Sequence, residues 1–162
     1  MKRIQINENH FDLHPSGALY WVEKKTLMLA DVHLGKVAHF RKNGIAVPRK
    51  AEGAFYEKIT FLLNEFEVER LLFLGDLFHS FQNNEWYLFS AWVKKQQSKL
   101  ILIEGNHDII PAWKFEQLGI HIKSDFREDA FYFSCYKEKN RTNFVIAYEE
   151  YELVQTCIHM SS

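Results

Sequence analysis

The chain contains little cysteine and no long apolar segment, and both features narrow the class of protein. Its 162 residues include two cysteines, too few for the disulfide framework of a small secreted domain. The N-terminal sequence MKRIQINENH lacks the apolar run of a signal peptide. No stretch approaches the length of a transmembrane helix. We therefore expect a cytoplasmic protein that does not span a membrane.

The sequence also lacks an excess of charge of either sign. Its 20 basic and 21 acidic residues give a formal net charge of −1 at pH 7, so any binding to nucleic acid must depend on local charge. A chain of 162 residues with 47% hydrophobic residues can build one core and is short for two. Repeats and low-complexity linkers are also missing. A single domain over residues 1–162 is expected.

Three apolar runs, at residues 26–30, 71–74 and 100–103, organise the middle of the chain. Their continuous apolar character is typical of strands that are covered on both faces, as in a parallel sheet. Residues 18–22 follow the turn signal Pro15-Ser16-Gly17 and are expected to form a strand paired with residues 11–13.

The spacers between these runs show the apolar periodicity of amphipathic helices. The periodic residues are Ala51, Phe55, Ile59, Leu62, Leu63 and Phe66 in the first spacer, and Trp86, Phe89, Trp92 and Val93 in the second. The combined pattern predicts the order β-α-β-α-β with right-handed crossovers, and therefore an α/β fold.

Polar residues follow each predicted strand at the point where the chain leaves the core. Asp31 and His33 follow the first strand, Asp76 the second, and Asn106 and His107 the third. Because the carboxyl ends of parallel strands lie along one edge of a sheet, we expect these side chains to meet. Carboxylate, imidazole and amide groups suit manganese, iron or zinc, and this set lacks the thiolates of a structural zinc site.

Each motif also has a purely structural interpretation. Asp31 could cap a turn, and Gly75-Asp76 after a strand is ordinary turn chemistry. His107 could be a turn histidine that is hydrogen-bonded to the backbone. All three motifs nevertheless follow apolar runs, in order and at helix-sized separations, and their combination favours a shared metal site. Gly75 and Gly105 would then allow the backbone to approach the ligands closely.

The motifs resemble those of a known enzyme family. ADVHLGK, FLGDLFHS and IEGNHD are similar to the first three signature motifs of the calcineurin-like metallophosphoesterases. DVHLGKVAHFRKNGIAVP with GDLFHS resembles the bacterial ligase-associated DNA damage response endonucleases. The resemblance covers about residues 10–133. It implies a four-layer α/β sandwich, a metal-dependent phosphoesterase that hydrolyses phosphodiester bonds in nucleic acid, and a ligase or helicase of DNA repair as partner.

The resemblance also implies a two-metal site. Asp31 and His33 would hold one ion, Asp76 would bridge both ions, and Asn106 would bind the second. Manganese is the expected metal, with iron or zinc as alternatives. Two neighbouring divalent ions can neutralise the charge that develops during an in-line displacement at phosphorus.

His107 and Asp108 are the catalytic residues that the resemblance implies. His107 would act on the leaving or attacking oxygen, as a general acid for the departing alkoxide. Asp108 would orient the imidazole, and a neighbouring carboxylate favours its charged form. His79 lies three residues after Asp76 and could either support the ligands or simply be exposed.

The segment between Val32 and Ala51 contains five basic residues and no acidic one. Lys36, Arg41 and Arg49 in this segment are candidates for binding phosphates that flank the scissile one. The alternative is a solvated loop and helix start whose basic character is incidental.

The C-terminal segment, residues 134–162, departs from the family pattern. The family carries a lone histidine after a strand and later a Gly-His-x-His motif. In this chain the apolar run 130–134 ends at Cys135, and the later sequence reads Thr-Cys-Ile-His, with Cys157 and His159. His159 is a candidate metal ligand if this pair replaces the two histidines, although a thiolate is softer than the imidazole it would replace.

The alternative for this segment is an altered or shortened tail that matches by accident. Either interpretation predicts a weaker second metal site. A missing outer strand would leave the second sheet incomplete, with an edge that a homo-oligomer contact could cover. The second functional hypothesis is therefore a catalytically impaired relative that retains one metal and acts as a binding protein.

Overall fold

The computed structural model of the protein describes residues 1–30, 32–35, 53–79, 83–105, 109–138 and 141–148. The strands in these ranges are β1 (Lys2–Ile6), β2 (Asn9–Leu13), β3 (Leu19–Trp21), β4 (Thr26–Ala30), β5 (Arg70–Leu74), β6 (Lys99–Ile103), β7 (His121–Lys123), β8 (Asp125–Glu128), β9 (Phe131–Glu138) and β10 (Arg141–Tyr148). The helices are α1 (Ala54–Glu65), α2 (Asn83–Val93) and α3 (Ala112–Glu116). Within the described ranges, no helix has both the length and the apolar character needed to cross a membrane.

The larger sheet has seven strands in the order β1-β2-β3-β4-β5-β6-β7. Strands β1 to β4 pair antiparallel as a meander, whereas β4 to β7 pair in parallel. Strands β4, β5 and β6 coincide with the three apolar runs to within one residue, and α1 and α2 lie in the periodic spacers. The predicted α/β fold is confirmed, as is the pairing of β3 with β2.

Burial on both faces explains why the parallel strands are continuously apolar. In β5, Leu71 and Phe73 face the core that contains the helices, whereas Leu72 and Leu74 face a second core. Successive side chains of a strand point to opposite faces, and here both faces are covered. Full burial of one such side chain contributes roughly 1.5–3 kcal/mol to stability.

The helix-side core holds the three described helices against the sheet. Ile59 and Leu62 of α1, Phe89 of α2 and Phe115 of α3 are buried in it. The Phe89 ring packs edge-on against Phe78, with 5.2 Å between centroids. The strands that precede these helices run parallel, so their carboxyl ends lie along one edge of the sheet.

The smaller sheet, in the order β10-β9-β8, packs on the opposite face. Phe131 of β9 contacts Phe11 and Trp21 of the larger sheet, with centroid distances of 5.1 Å and 5.0 Å. Helices, large sheet and small sheet thus form three successive layers of the α/β sandwich in the described part of the chain. Cys135 lies within β9 and pairs in register with Phe144 of β10. The strand therefore continues beyond Cys135, where the apolar run of the sequence ends.

Ion pairs join the two sheets near the amino ends of the parallel strands. Arg70 at the start of β5 pairs with Glu128 of β8 at 2.7 Å, and Lys24 pairs with Asp129 at 2.9 Å. Arg70 also donates a hydrogen bond from Nε to Oγ1 of Thr26 at 2.8 Å. These contacts hold the sheets together at the edge opposite the carboxyl ends of the strands.

Candidate metal centre

The carboxyl ends of β4, β5 and β6 lie at the same level of the sheet. The register pairs Ala30 with Leu74 and Leu74 with Ile103, the last residues of the three strands. Three loops therefore begin side by side. Asp31 directly follows Ala30 but lies outside the described residues.

Main-chain hydrogen bonds continue the pairing of β4 with β5 beyond the strand ends. The N–H of His33 donates to the carbonyl of Asp76 at 3.1 Å, and the N–H of Leu34 donates to the carbonyl of Leu77 at 2.8 Å. In the other direction, the N–H of His79 donates a hydrogen bond to the carbonyl of Leu34 at 2.8 Å. The two loops are therefore held together by backbone contacts that do not depend on the side chains of His33 and Asp76.

Both predicted ligands in this pair have left-handed backbone conformations. The φ angle is 51° at His33 and 43° at Asp76. Such conformations cost a non-glycine residue of the order of 1–3 kcal/mol and cluster at ligand clamps and active sites. The remaining non-glycine residues with positive φ in the described ranges, Asn7, Lys25 and Asp129, occupy turns between antiparallel strands. His33 and Asp76 instead lie at the ends of parallel strands.

Gly105 lies directly against Asp76, as expected from the sequence. A Cβ atom at position 105 would collide with the amide nitrogen and Oδ1 of Asp76 and would lie 3.0 Å from Cα of Gly75. The N–H of Gly75 donates to the carbonyl of Ile103 at 2.9 Å, which joins the ends of β5 and β6. The third motif therefore touches Asp76 through Gly105.

Asp76 is buried, with 2% of its surface exposed. A buried carboxylate is costly unless a cation or hydrogen-bond donors compensate its charge. Asp12 shows one such solution: Arg3 donates two hydrogen bonds of 2.7 Å to its carboxylate and holds the pKa of Asp12 below its ordinary value. The carboxylate of Asp76 and the imidazole of His33 are donor types that fit a divalent manganese, iron or zinc ion.

His79 lies beside His33. The two imidazole rings are 5.9 Å apart at an interplanar angle of 89°. His79 is exposed, so it is both accessible to solvent and in contact with a predicted ligand. In the sequence, His79 was noted only for lying three residues after Asp76. That spacing did not decide whether His79 supports the ligands or is simply exposed.

The first turns of α1 and α2 contact each other. The hydroxyl of Tyr56 lies 3.5 Å from Oε1 of the buried Glu85. Burial raises the pKa of the Tyr56 phenol, and the nearby Glu85 carboxylate raises it further. The phenol therefore stays protonated and can donate to Glu85, linking the two helix starts.

Most of the predicted site residues lie outside the described residues, so their positions remain predictions. These are Asp31, Lys36, Arg41, Arg49, Asn106, His107, Asp108, Cys157 and His159. No group of three or more histidine, cysteine or acidic side chains that could hold a metal occurs within the described ranges. Those ranges include two of the predicted ligands, His33 and Asp76, and the structure brings their loops together.

Comparison with known proteins identifies the family. The model of the calcineurin-like phosphoesterases matches residues 24–159, a range that contains all three motifs and extends through most of the C-terminal segment. Comparison with curated proteins gives no match.

Among solved structures, the chain is similar to the nuclease MPE of Pseudomonas putida, with 27% sequence identity and a TM-score of 0.63 over 75% of this chain. The match spans 58% of the length of that nuclease. The family match agrees with the resemblance that the three motifs indicated. Because the matched residues make up most of the sequence, the chain belongs to the calcineurin-like phosphoesterase family.

Proposed function

We propose that this protein is a metal-dependent phosphodiesterase that cleaves nucleic acid in the manner of a DNA endonuclease. Family membership supports hydrolysis of phosphate esters. The similarity to the P. putida nuclease MPE and the resemblance of the first two motifs support nucleic acid as the substrate. The observation that carries the proposal is the junction of three strand ends, with the loops of His33 and Asp76 joined through the main chain.

The proposed metal ligands come from all three loops and from the C-terminal segment. Asp31, His33 and Asp76 would hold one divalent ion, and Asp76, Asn106 and His159 would hold a second. The buried carboxylate of Asp76, seated against Gly105, fits this role. Bound divalent ions, with manganese preferred over iron or zinc, would supply Lewis-acid stabilisation of phosphate charge and lower the pKa of water.

The remaining proposed residues would handle protons and substrate charge. His107 would give a proton to the departing oxygen, and Asp108 would orient its imidazole and favour the charged form. Lys36, Arg41 and Arg49 would contact phosphates on either side of the scissile one. Each of these side chains is of the type that its role requires.

The C-terminal segment carries the second candidate function, a binding protein with one metal and impaired catalysis. The observation that favours it is cysteine at positions 135 and 157, where the family pattern has histidine. The family match includes residue 159, so the proposed ligand His159 lies within the matched range. Metal analysis separates the two functions, because the enzyme needs two ions per chain and the binding protein would hold one.

The decisive experiment is hydrolysis of bis(p-nitrophenyl) phosphate by the purified chain. We expect activity with added manganese, loss of activity with EDTA and recovery when manganese is restored. Metal-loaded protein that leaves this phosphodiester intact would overturn the proposal.

Four further proposals come from the sequence alone. They are a single domain, a cytoplasmic location, a role in DNA repair with a ligase or helicase, and a homo-oligomer.

A further inference from the structure

An exposed aromatic surface with a lysine beside it lies on the helices that follow the second and third motifs. Trp113 of α3 is 53% exposed, and Nζ of Lys114 lies 5.7 Å from its ring centroid. The same ammonium lies 5.9 Å from the ring of the half-buried Trp86 on α2. Ile109, which is 50% exposed, lies four residues before Trp113. We call Trp86, Ile109, Trp113 and Lys114 the Trp113 surface.

The Trp113 surface has a rigid foundation in the core. Phe115 is buried directly after Lys114 and packs edge-on against Trp86, with 5.4 Å between ring centroids. The neighbouring Trp113 and Lys114 are therefore held in place through α3. Contacts of the lysine with two indole rings restrict the position of its charge. The surface is thus an ordered combination of an aromatic face and a cation.

Packing also connects this surface to the candidate metal centre. Trp86 contacts Phe78, with 5.8 Å between centroids, and Phe78 lies two residues after Asp76. Phe78 itself forms an isolated parallel bridge with Leu34, the residue that follows His33. On the other side, Ile109 directly follows the predicted catalytic residue Asp108. The surface therefore borders the edge of the sheet where the three motifs meet.

We propose that Trp113 stacks on an unpaired base of the strand whose phosphate is bound at the metal centre, with Lys114 placing positive charge beside a neighbouring phosphate. This inference rests on the proposed nuclease function. Aromatic faces that accept bases, combined with basic side chains, are how proteins hold single-stranded nucleic acid without reading its sequence. Because the whole chain carries a net charge of −1, a fixed local cation is what an anionic strand would require here.

A partner protein fits this surface less well. A stable protein interface buries about 800 Å² on each side, usually around several aromatic or aliphatic anchors. The Trp113 surface offers two exposed apolar side chains, Ile109 and Trp113, next to a charged group. A single stacked base with its phosphate matches that size and that charge.

The test is binding of a fluorescein-labelled oligothymidylate with a cleavage-resistant phosphorothioate backbone, measured by fluorescence anisotropy at saturating manganese so that the metal centre stays loaded. Trp113→Ala should weaken binding roughly ten-fold, the loss expected for one stacked base, whereas Trp113→Phe should restore most of it. Phe61→Ala is the matched control: Phe61 is 57% exposed on the C-terminal half of α1, where it contacts His14. That variant should bind like the wild type.

A second oligonucleotide of the same length, with abasic sites in place of bases, separates stacking from charge. The wild type should bind it as weakly as Trp113→Ala binds the intact strand, and Trp113→Ala should hardly distinguish the two. Equal affinity of wild type and Trp113→Ala for the intact strand overturns the inference, and so does an absence of measurable binding by the wild type. Hydrolysis of bis(p-nitrophenyl) phosphate by the wild type tests the proposed function separately, because that substrate has no base.

Discussion

The main-chain N–H of His33 donates a hydrogen bond to the main-chain carbonyl of Asp76, with 3.1 Å between nitrogen and oxygen. Two residues that are far apart in sequence and come from different strands are thus joined without help from their side chains. Replacing either side chain should leave this frame in place, so that the effects of such variants report on metal binding and chemistry. The first prediction depends on this property.

Asp76→Asn should lower manganese binding while the fold persists. The substitution keeps the size of the side chain but removes the charge that a divalent ion needs. Metal content per chain, measured by atomic emission after gel filtration, should fall clearly below that of the wild type. Asp12→Asn is the matched control, since Asp12 is equally buried and lies in β2, where it pairs with Arg3, outside the candidate metal centre. A full complement of manganese in Asp76→Asn would contradict the role of Asp76.

His107→Asn should slow turnover by roughly 10²–10⁴-fold without loss of metal, because it removes a proton donor. The measurement is kcat for cleavage of single-stranded DNA at saturating manganese, where the departing oxygen is an alkoxide, together with metal content. Bis(p-nitrophenyl) phosphate should show a much smaller difference between variant and wild type, because p-nitrophenolate departs without protonation. Equal rates of DNA cleavage by the two proteins would exclude His107 as the general acid.

Gly105→Ala should disturb the candidate metal centre through a steric collision. The added Cβ would meet the amide nitrogen and Oδ1 of Asp76, so the ends of β5 and β6 must separate. We expect weaker manganese binding, measured by titration calorimetry, and a lower melting temperature. Gly119→Ala is the control, because its φ of +81° makes alanine strained while no atom lies within 4 Å of the new Cβ. It should lower the melting temperature and leave manganese affinity unchanged.

The Arg3–Asp12 pair should contribute stability that depends on pH. The hydrogen bonds from Arg3 lower the pKa of Asp12 in the folded state, so the contribution is fully present above the pKa of an unfolded aspartate, about 3.9. It is lost as the pH falls through the lower, folded value. Urea unfolding of wild type and Arg3→Met should therefore differ most near neutral pH and converge in acid. A constant difference across that range would show that the pair acts through packing alone.

The sequence was informative where local pattern and final environment agree. Strands β4, β5 and β6 are buried on both faces, so their apolar runs marked them nearly to the residue. Helices α1 and α2 each bury one apolar face, and the spacing of their apolar residues indicated that face in the sequence. Strands β1 and β7 carried no comparable signal, because both are largely exposed at the two edges of the large sheet.

The finer features of the candidate site depend on contacts between distant residues. Aspartate and histidine adopt a left-handed backbone more readily than most residues, but the local sequence does not require it at His33 or Asp76. The pairing of β4 with β5 brings these loops together. The contact of His79 with His33 arises in the same way. The sequence did not single out Trp113 as a binding residue, because a tryptophan followed by a lysine does not by itself indicate a binding surface. The structure shows that the Trp113 ring is exposed.

The parallel pairing at the candidate metal centre also determines when the site can exist. Strands β1 to β4 each pair with the next strand in sequence. Pairing of β4, β5 and β6 instead requires closure of the long segments between them, and such long-range contacts form more slowly. The bond from His33 to Asp76 extends the β4–β5 ladder and cannot precede it. A metal held by these two residues would therefore enter after the sheet has assembled. The ions present at the end of folding, and not those met during synthesis, would then determine which metal the protein carries.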